Sequence, residues 1–207
     1  CSQIDDNAVS GWTPELVTEY YGAYHFGDSE GESTLILFAA GTEVIAQIQS
    51  GEWSSTGTEW VSHFRNLTNV KIDGKGRFYS DQYQGDFVVF NDGESNIKCL
   101  KIVDSWSGIT EEKGEYELGR KTSSVIKDFY AGKYVNASIR KLDPAELKKM
   151  SLNELKIMRN EIFARYGYKF RSGGAMNQYF GETEWYRPQH TDVNNFLTNL
   201  EKENIVL

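Results

Sequence analysis

The segment Arg159-Asn160-Glu161-Ile162-Phe163-Ala164-Arg165-Tyr166-Gly167-Tyr168-Lys169-Phe170 constrains this chain more than any other. It sets two arginines, an asparagine and a glutamate into an otherwise apolar helical pattern and stops that pattern on a glycine. A guanidinium on the inner face of a helix needs a carboxylate or a set of carbonyls to offset its desolvation. At about 100° per residue, Leu152, Leu155, Ile162 and Tyr166 fall on one face, with Arg159 in its middle. Acids on the same helix are turned away, Glu161 by about 160° and Glu154 by about 140°. The expected partner is Glu201, which flanks the Val193, Leu197, Leu200 and Asn204 stripe of the last helix. Arg159 and Glu201 are therefore expected to form an internal ion pair that fixes two helices in register. The functional alternative is that Arg159 or Arg165 reaches an anionic ligand, and Arg165, off that face, is the freer of the two.

Around this segment the local signals are those of short capped helices. Asp143-Pro144-Ala145-Glu146 offers an N-cap, a proline at the first helical position and a reciprocal glutamate, and Ser151-Leu152-Asn153-Glu154 repeats the device. The second helix runs to Tyr166, where Gly167 takes the left-handed position that ends it. A short helix is expected over 175–180 and a last one from about Asp192 to about Asn204. Trp185-Tyr186-Arg187-Pro188 reads as a loop, because the proline pushes residue 187 to extended backbone. Its aromatics suit either a sugar-stacking platform or a plug over a small helical core.

The order of these pieces resembles the YARHG domain of bacterial extracytoplasmic proteins. That pattern has a short capped helix, an R-N-E-I-Y-A-R-H-G-like core, a W-Y pair and a closing helix ending in E-x-x-N-I. It covers roughly residues 142–206, and Phe163 and Tyr166 stand where the name-giving tyrosine and histidine would be. The resemblance implies an exported protein and a role in binding cell-wall material, and it implies no reaction. On that reading Arg165, Trp185, Tyr186 and Arg187 are the candidate binding residues, facing a cell-wall glycan or a carboxylated peptide.

The first part of the chain has a different texture. From Gly22 to about residue 119, short alternating runs are separated by Gly41, Gly51, Gly57, Asp73-Gly74, Asn91-Asp92-Gly93 and Gly108. Strands are expected over 34–39, 43–49, 59–64, 68–72, 77–83, 86–90, 97–103 and 115–118. Regular short strands with such turns argue for an antiparallel meander. The expected fold is α+β: an up-and-down barrel of about eight strands, lipocalin-like in outline, followed by a small all-α domain. Boundaries are expected at 1–12 for a tether, 13–120 for the β domain, 121–141 for a linker or docking segment and 142–207 for the helical domain. Trp53, Trp60 and Trp106 are read as barrel lining or as a binding face.

Charge narrows the partners. Residues 1–140 carry 12 Lys/Arg against 21 Asp/Glu, whereas residues 141–207 carry ten against nine. An acidic first part repels phosphate backbones, and the rest has no dense basic stripe, so nucleic acid is not an expected partner. No apolar run approaches the ~18–20 residues of a membrane span. His25, His63 and His190 are scattered without metal-ligand spacing, and neither a G-x-S-x-G elbow nor a phosphate loop is present. Neither metal nor cofactor is therefore expected. Glu111-Glu112 and Asp5-Asp6 are adjacent acids of the kind that usually face solvent, and Cys99, in a strand-like run, is expected to be a buried, inert thiol.

Cys1, followed by the polar Ser2-Gln3-Ile4-Asp5-Asp6, looks like the acylated first residue of a processed bacterial lipoprotein, and Ser2 fits outer-membrane sorting. The resulting expectation is a non-catalytic envelope lipoprotein that binds or organises wall material. A barrel carrying a small apolar ligand or lipid is the first alternative, and an envelope hydrolase the second. Expressed behind a signal peptide in a suitable bacterium, the protein should partition into the detergent phase and Cys1→Ala should release it. Equal partitioning of the two forms would remove the anchor.

Overall fold

The computed structural model describes residues 6–107 and 114–207. Cys1, Asp5 and Glu111-Glu112 lie outside the described residues. Ten strands come first: β1 (Val9–Gly11), β2 (Gly22–Phe26), β3 (Ser33–Ala40), β4 (Glu43–Trp53), β5 (Trp60–Asn66), β6 (Lys71–Ile72), β7 (Arg77–Tyr79), β8 (Gln84–Asn91), β9 (Asn96–Val103) and β10 (Tyr116–Ser123). Five short helices follow: α1 (Asn136–Ile139), α2 (Pro144–Leu147), α3 (Leu152–Arg165), α4 (Ala175–Gly181) and α5 (Asn199–Ile205). The chain divides into two compact units, one of residues 1–39, 43–51 and 67–126, the other of 40–42, 52–66 and 127–207.

The sheet is an antiparallel, curled half-barrel and not the closed barrel expected. Its order is β5-β4-β3-β2-β10-β9-β8-β7-β6, with β1 added on β8. β2 pairs with β10, His25 opposite Arg120, which is the junction that would join the ends of an up-and-down barrel. β5 and β6 end that order and are not hydrogen-bonded to each other among the described residues. Two reasons are visible in the chain. β6 is only two residues long, and residues 52–66 cluster with the helical unit, where β5 makes its side-chain contacts. The alternation rule also missed β1 and β2, which lie in the expected tether and around Tyr24. Residues 35–38 are covered on both faces, since Leu35, Ile36, Leu37 and Phe38 are all buried.

Aromatic rings fill the concave side of this sheet. Tyr20 stacks on Phe87 with ring centroids 4.1 Å apart, and Trp12 meets Tyr20 edge-on at 5.0 Å. The two phenols are satisfied inside the core: Tyr20 donates to the Trp12 carbonyl at 2.8 Å and Tyr24 to the Tyr20 carbonyl at 2.6 Å. Buried hydroxyls need such partners, and carbonyls outside the ladder supply them here. Cys99 is fully buried on β9, and burial pushes its thiol up to about 11, so it has no thiolate to offer at neutral pH.

The helical unit extends further upstream than expected. The segment expected to link the domains holds the end of β10, a 3-10 turn at Ile126–Phe129 and α1. The cap at Ser151 forms as its sequence directs, Ser151 and Glu154 exchanging backbone N–H bonds, whereas Asp143 caps α2 by accepting the Ala145 N–H and Glu146, expected to reciprocate, pairs with Arg140 at 2.7 Å. The last helix begins at Asn199, later than expected, because Thr198 is its N-cap. Asp192 instead caps a turn, accepting the Asn194 N–H at 2.8 Å.

Gly119 on β10 tests the packing of the sheet. A β-carbon there would occupy the space of the fully buried Phe26 ring. Gly119→Val should lower stability in urea unfolding by about 1–3 kcal/mol. Phe26→Leu combined with Gly119→Val should cost clearly less than the sum of the two changes, because the sites share one volume.

Candidate functional site

The polar residues of the 159–170 segment divide between the two sides of α3, and that division defines the candidate site. Ile157, Met158, Glu161, Ile162 and Ala164 are buried, which centres the inner face near Glu161 and Arg165. Arg159, by contrast, is exposed, and Leu152, one of the residues used to define the expected inner face, is 86% exposed. The expected Arg159–Glu201 pair is therefore not formed. The helix is turned by roughly a third of a rotation from the face its apolar residues suggested. Polar partners, not apolar area, set its orientation.

Those partners are specific. Glu161 accepts the backbone N–H of Lys133 at 2.8 Å and of Tyr134 at 2.6 Å, and the Arg165 guanidinium closes on the same carboxylate. Arg165 also donates Nε–H to the Ala131 carbonyl at 2.6 Å and Nη1–H to the Ser138 hydroxyl at 2.7 Å. Its side chain is only 5% exposed, so it is not the free binding residue expected from its wheel position. Burial pulls the guanidinium down from its ordinary value, while Glu161 and Glu201 act in the opposite sense. Gly132 makes room for this arrangement. It holds φ +108°, and a β-carbon there would meet the Glu161 carboxylate with Oε1 at 2.6 Å.

Glu201 has a different role from the one assigned to it. It is the third residue of α5, and its Oε2 accepts the Thr198 N–H at 2.9 Å and the Tyr166 hydroxyl at 2.7 Å. Burial raises its pKa, against hydrogen bonds from Ser138, Thr198 and Tyr166 and the charge of Arg165. The signal that would have found it is Thr198-Asn199-Leu200-Glu201, a capping box like the one recognised at Ser151. Asn204 completes this side, donating to the Ala137 and Arg140 carbonyls at 2.9 Å each and accepting the Leu142 N–H at 3.0 Å.

The expected aromatic platform is mostly a plug. Tyr186 is 5% exposed, packs with Phe170 and Phe180, and donates its hydroxyl to the Tyr168 carbonyl at 2.6 Å. Trp185 lies edge-on against Phe180 and is partly exposed. Arg187 is exposed and donates to the carbonyl of Tyr186 at 3.0 Å. Trp53 and Trp60 meet edge-on at 5.5 Å, Trp53 half exposed, whereas Trp106 packs on Phe26 and donates to Ser33. Of the histidines, His63 contacts Glu52 at 3.2 Å and His190 the Ser62 carbonyl at 2.8 Å. Among the described residues no three His, Cys, Asp or Glu side chains gather as a metal site would require.

What the outer side of α3 faces is a cleft of about 470 Å3. Arg159, Asn160 and Phe163 line it from the helix, together with Tyr168, Thr191 and Asp192. The segment leading into Thr191 and Asp192 is held by the backbone, since Gln189 and His190 donate to the Gly167 carbonyl at 2.7 and 2.9 Å and Lys169 to the His190 carbonyl at 2.7 Å. Gly167 permits this approach: it holds φ +70°, and a β-carbon there would lie 2.7 Å from the Arg187 carbonyl. Sequence reasoning missed the cleft because it starts the last helix near Asp192.

The inner cluster carries a stability prediction. Glu161→Gln and Arg165→Met each leave a buried charge without its counter-ion, which typically costs about 3–5 kcal/mol. In urea unfolding of the full chain, the double change should cost clearly less than the sum of the two. Arg159→Met should change stability by less than about 0.5 kcal/mol, as exposed positions do.

No curated protein and no solved structure matches the chain. Residues 132–207 match the YARHG domain, so the helical unit carries a C-terminal domain of that family, with Gly132 as the first residue matched.

Proposed function

We propose that this protein is a non-catalytic binding module of the bacterial cell envelope, and that its YARHG domain takes cell-wall material into the cleft beside Arg159. One observation carries this reading. Inside the domain, Glu161, Arg165, Glu201 and Asn204 are engaged by the fold itself, whereas the guanidinium of Arg159 stands exposed in a cleft next to Phe163 and Tyr168. A cation beside aromatic walls in a concave site suits an anionic or sugar-like ligand. The compartment rests on the YARHG match at residues 132–207. A carrier of apolar ligands would need room within the sheet, and Tyr20, Tyr24, Phe26 and Phe87 fill its concave side. No general acid–base pair or activated nucleophile lines the cleft, so binding without turnover is the chemistry its residues suit.

Purified sacculi provide the test. The full chain should pellet with them, and Arg159→Ala should reduce the bound fraction by about tenfold or more at unchanged circular dichroism. Equal pelleting of variant and wild type would remove the cleft from the binding role. Failure of the wild type to pellet would remove the wall-binding function.

A further inference from the structure

Two opposite charges, Arg159 and Asp192, line the same cleft. Arg159 projects from α3 and Asp192 from the turn before α5, and both are exposed. Neither forms an ion pair with the other, or with any other group, among the described residues. Asp192 is oriented by its own turn, with Oδ1 accepting from Asn194 N–H and from the Asn194 amide at 2.8 Å each, and both of those bonds fall on the one oxygen. The Asn160 amide donates to the Lys156 carbonyl at 2.7 Å, which leaves its oxygen as an acceptor beside Arg159. The rings of Phe163 and Tyr168, which line the same cleft, have centroids 6.1 Å apart.

We infer that the ligand of this cleft is a short zwitterionic peptide, its carboxylate held by Arg159 and its ammonium group by Asp192. The inference rests on the cleft being the wall-binding site and narrows the ligand from wall material in general to the peptide part of it. A guanidinium grips a carboxylate through two parallel N–H bonds, and a carboxylate oxygen accepts from an ammonium group in any rotamer. A neutral glycan offers neither charge and would leave both side chains unanswered. The volume, about 470 Å3, lies within the range of small-molecule sites, roughly 300–1,000 Å3. Asn160 then supplies an acceptor for a peptide N–H, and the two rings pack against small apolar side chains.

Isothermal titration of the full chain tests this with L- and D-trialanine, each also in N-acetylated and C-amidated form, because the charges alone do not set handedness. One uncapped enantiomer should bind, and capping either end should weaken binding by about tenfold or more. The variants assign the ends. Arg159→Met should abolish the preference for a free carboxylate and keep that for a free amine, and Asp192→Asn should do the reverse. Equal affinity for capped and uncapped forms, no binding of either enantiomer at millimolar concentration, or loss of both preferences in each variant would overturn the inference. Pelleting with sacculi separates the two levels. A chain that pellets but ignores trialanine keeps the wall-binding function and loses the zwitterion, whereas one that binds trialanine but does not pellet loses the wall.

Discussion

The carboxylate of Glu161 is the point on which the helical unit depends. It receives two backbone N–H groups from Lys133 and Tyr134 and the guanidinium of Arg165, four residues along its own helix. A buried carboxylate with so many donors is well compensated, and each donor belongs to a different requirement of the fold. The two N–H groups hold the 132–134 turn against α3. Arg165 carries the connection on to the Ala131 carbonyl and to Ser138 in α1. Glu161 thereby replaces the apolar packing that a longer helix would use, and α3 can be held firmly by neighbours only four to seven residues long.

A second polar centre lies beside the first. Glu201 ties the start of α5 to Tyr166 at the end of α3, and Asn204 ties the other end of α5 to the 137–142 segment. Tyr166 stands in place of the histidine of the family motif, and its phenol gives Glu201 a donor that needs no protonation change. Phe64 of β5 packs edge-on against Tyr166 with centroids 4.8 Å apart, and Asn66 donates to the carbonyls of Phe196 and Leu197 at 3.0 Å. Residues 52–66 are thus part of the helical unit in the same sense as α1, although a sequence reading assigns them to the sheet.

What the sequence made legible follows from the range of the interactions involved. Caps and glycine stops are local, so the helix starts at Asp143 and Ser151 and the stop at Gly167 could be read directly. Strands over 33–40 and 96–103 announce themselves by apolar density. Barrel closure could not be read, because it depends on what β5 meets about 100 residues or more downstream. The orientation of α3 failed for a related reason. Its apolar residues are spread around the axis, so a wheel built on Leu152, Leu155 and Ile162 selects a face that the polar contacts override. Glu161 was set aside because it pointed away from Arg159, when its own partners were the backbone of residues 133 and 134.

That reversal also sorts the two arginines. They are six residues apart, about 120° around the helix by the shorter way, and Arg159 lies about 160° from Glu161. Once Glu161 draws its own side inward, Arg165 follows it, since residues four apart share a face. Arg159 is then necessarily outside, with Asn160 and Phe163 beside it. The internal contacts that give α3 its place are the same ones that turn a guanidinium toward the cleft, and Gly167, which ends the helix, receives the N–H groups of Gln189 and His190 just before the lining residues Thr191 and Asp192. One glutamate facing inward therefore determines which arginine is available to a ligand.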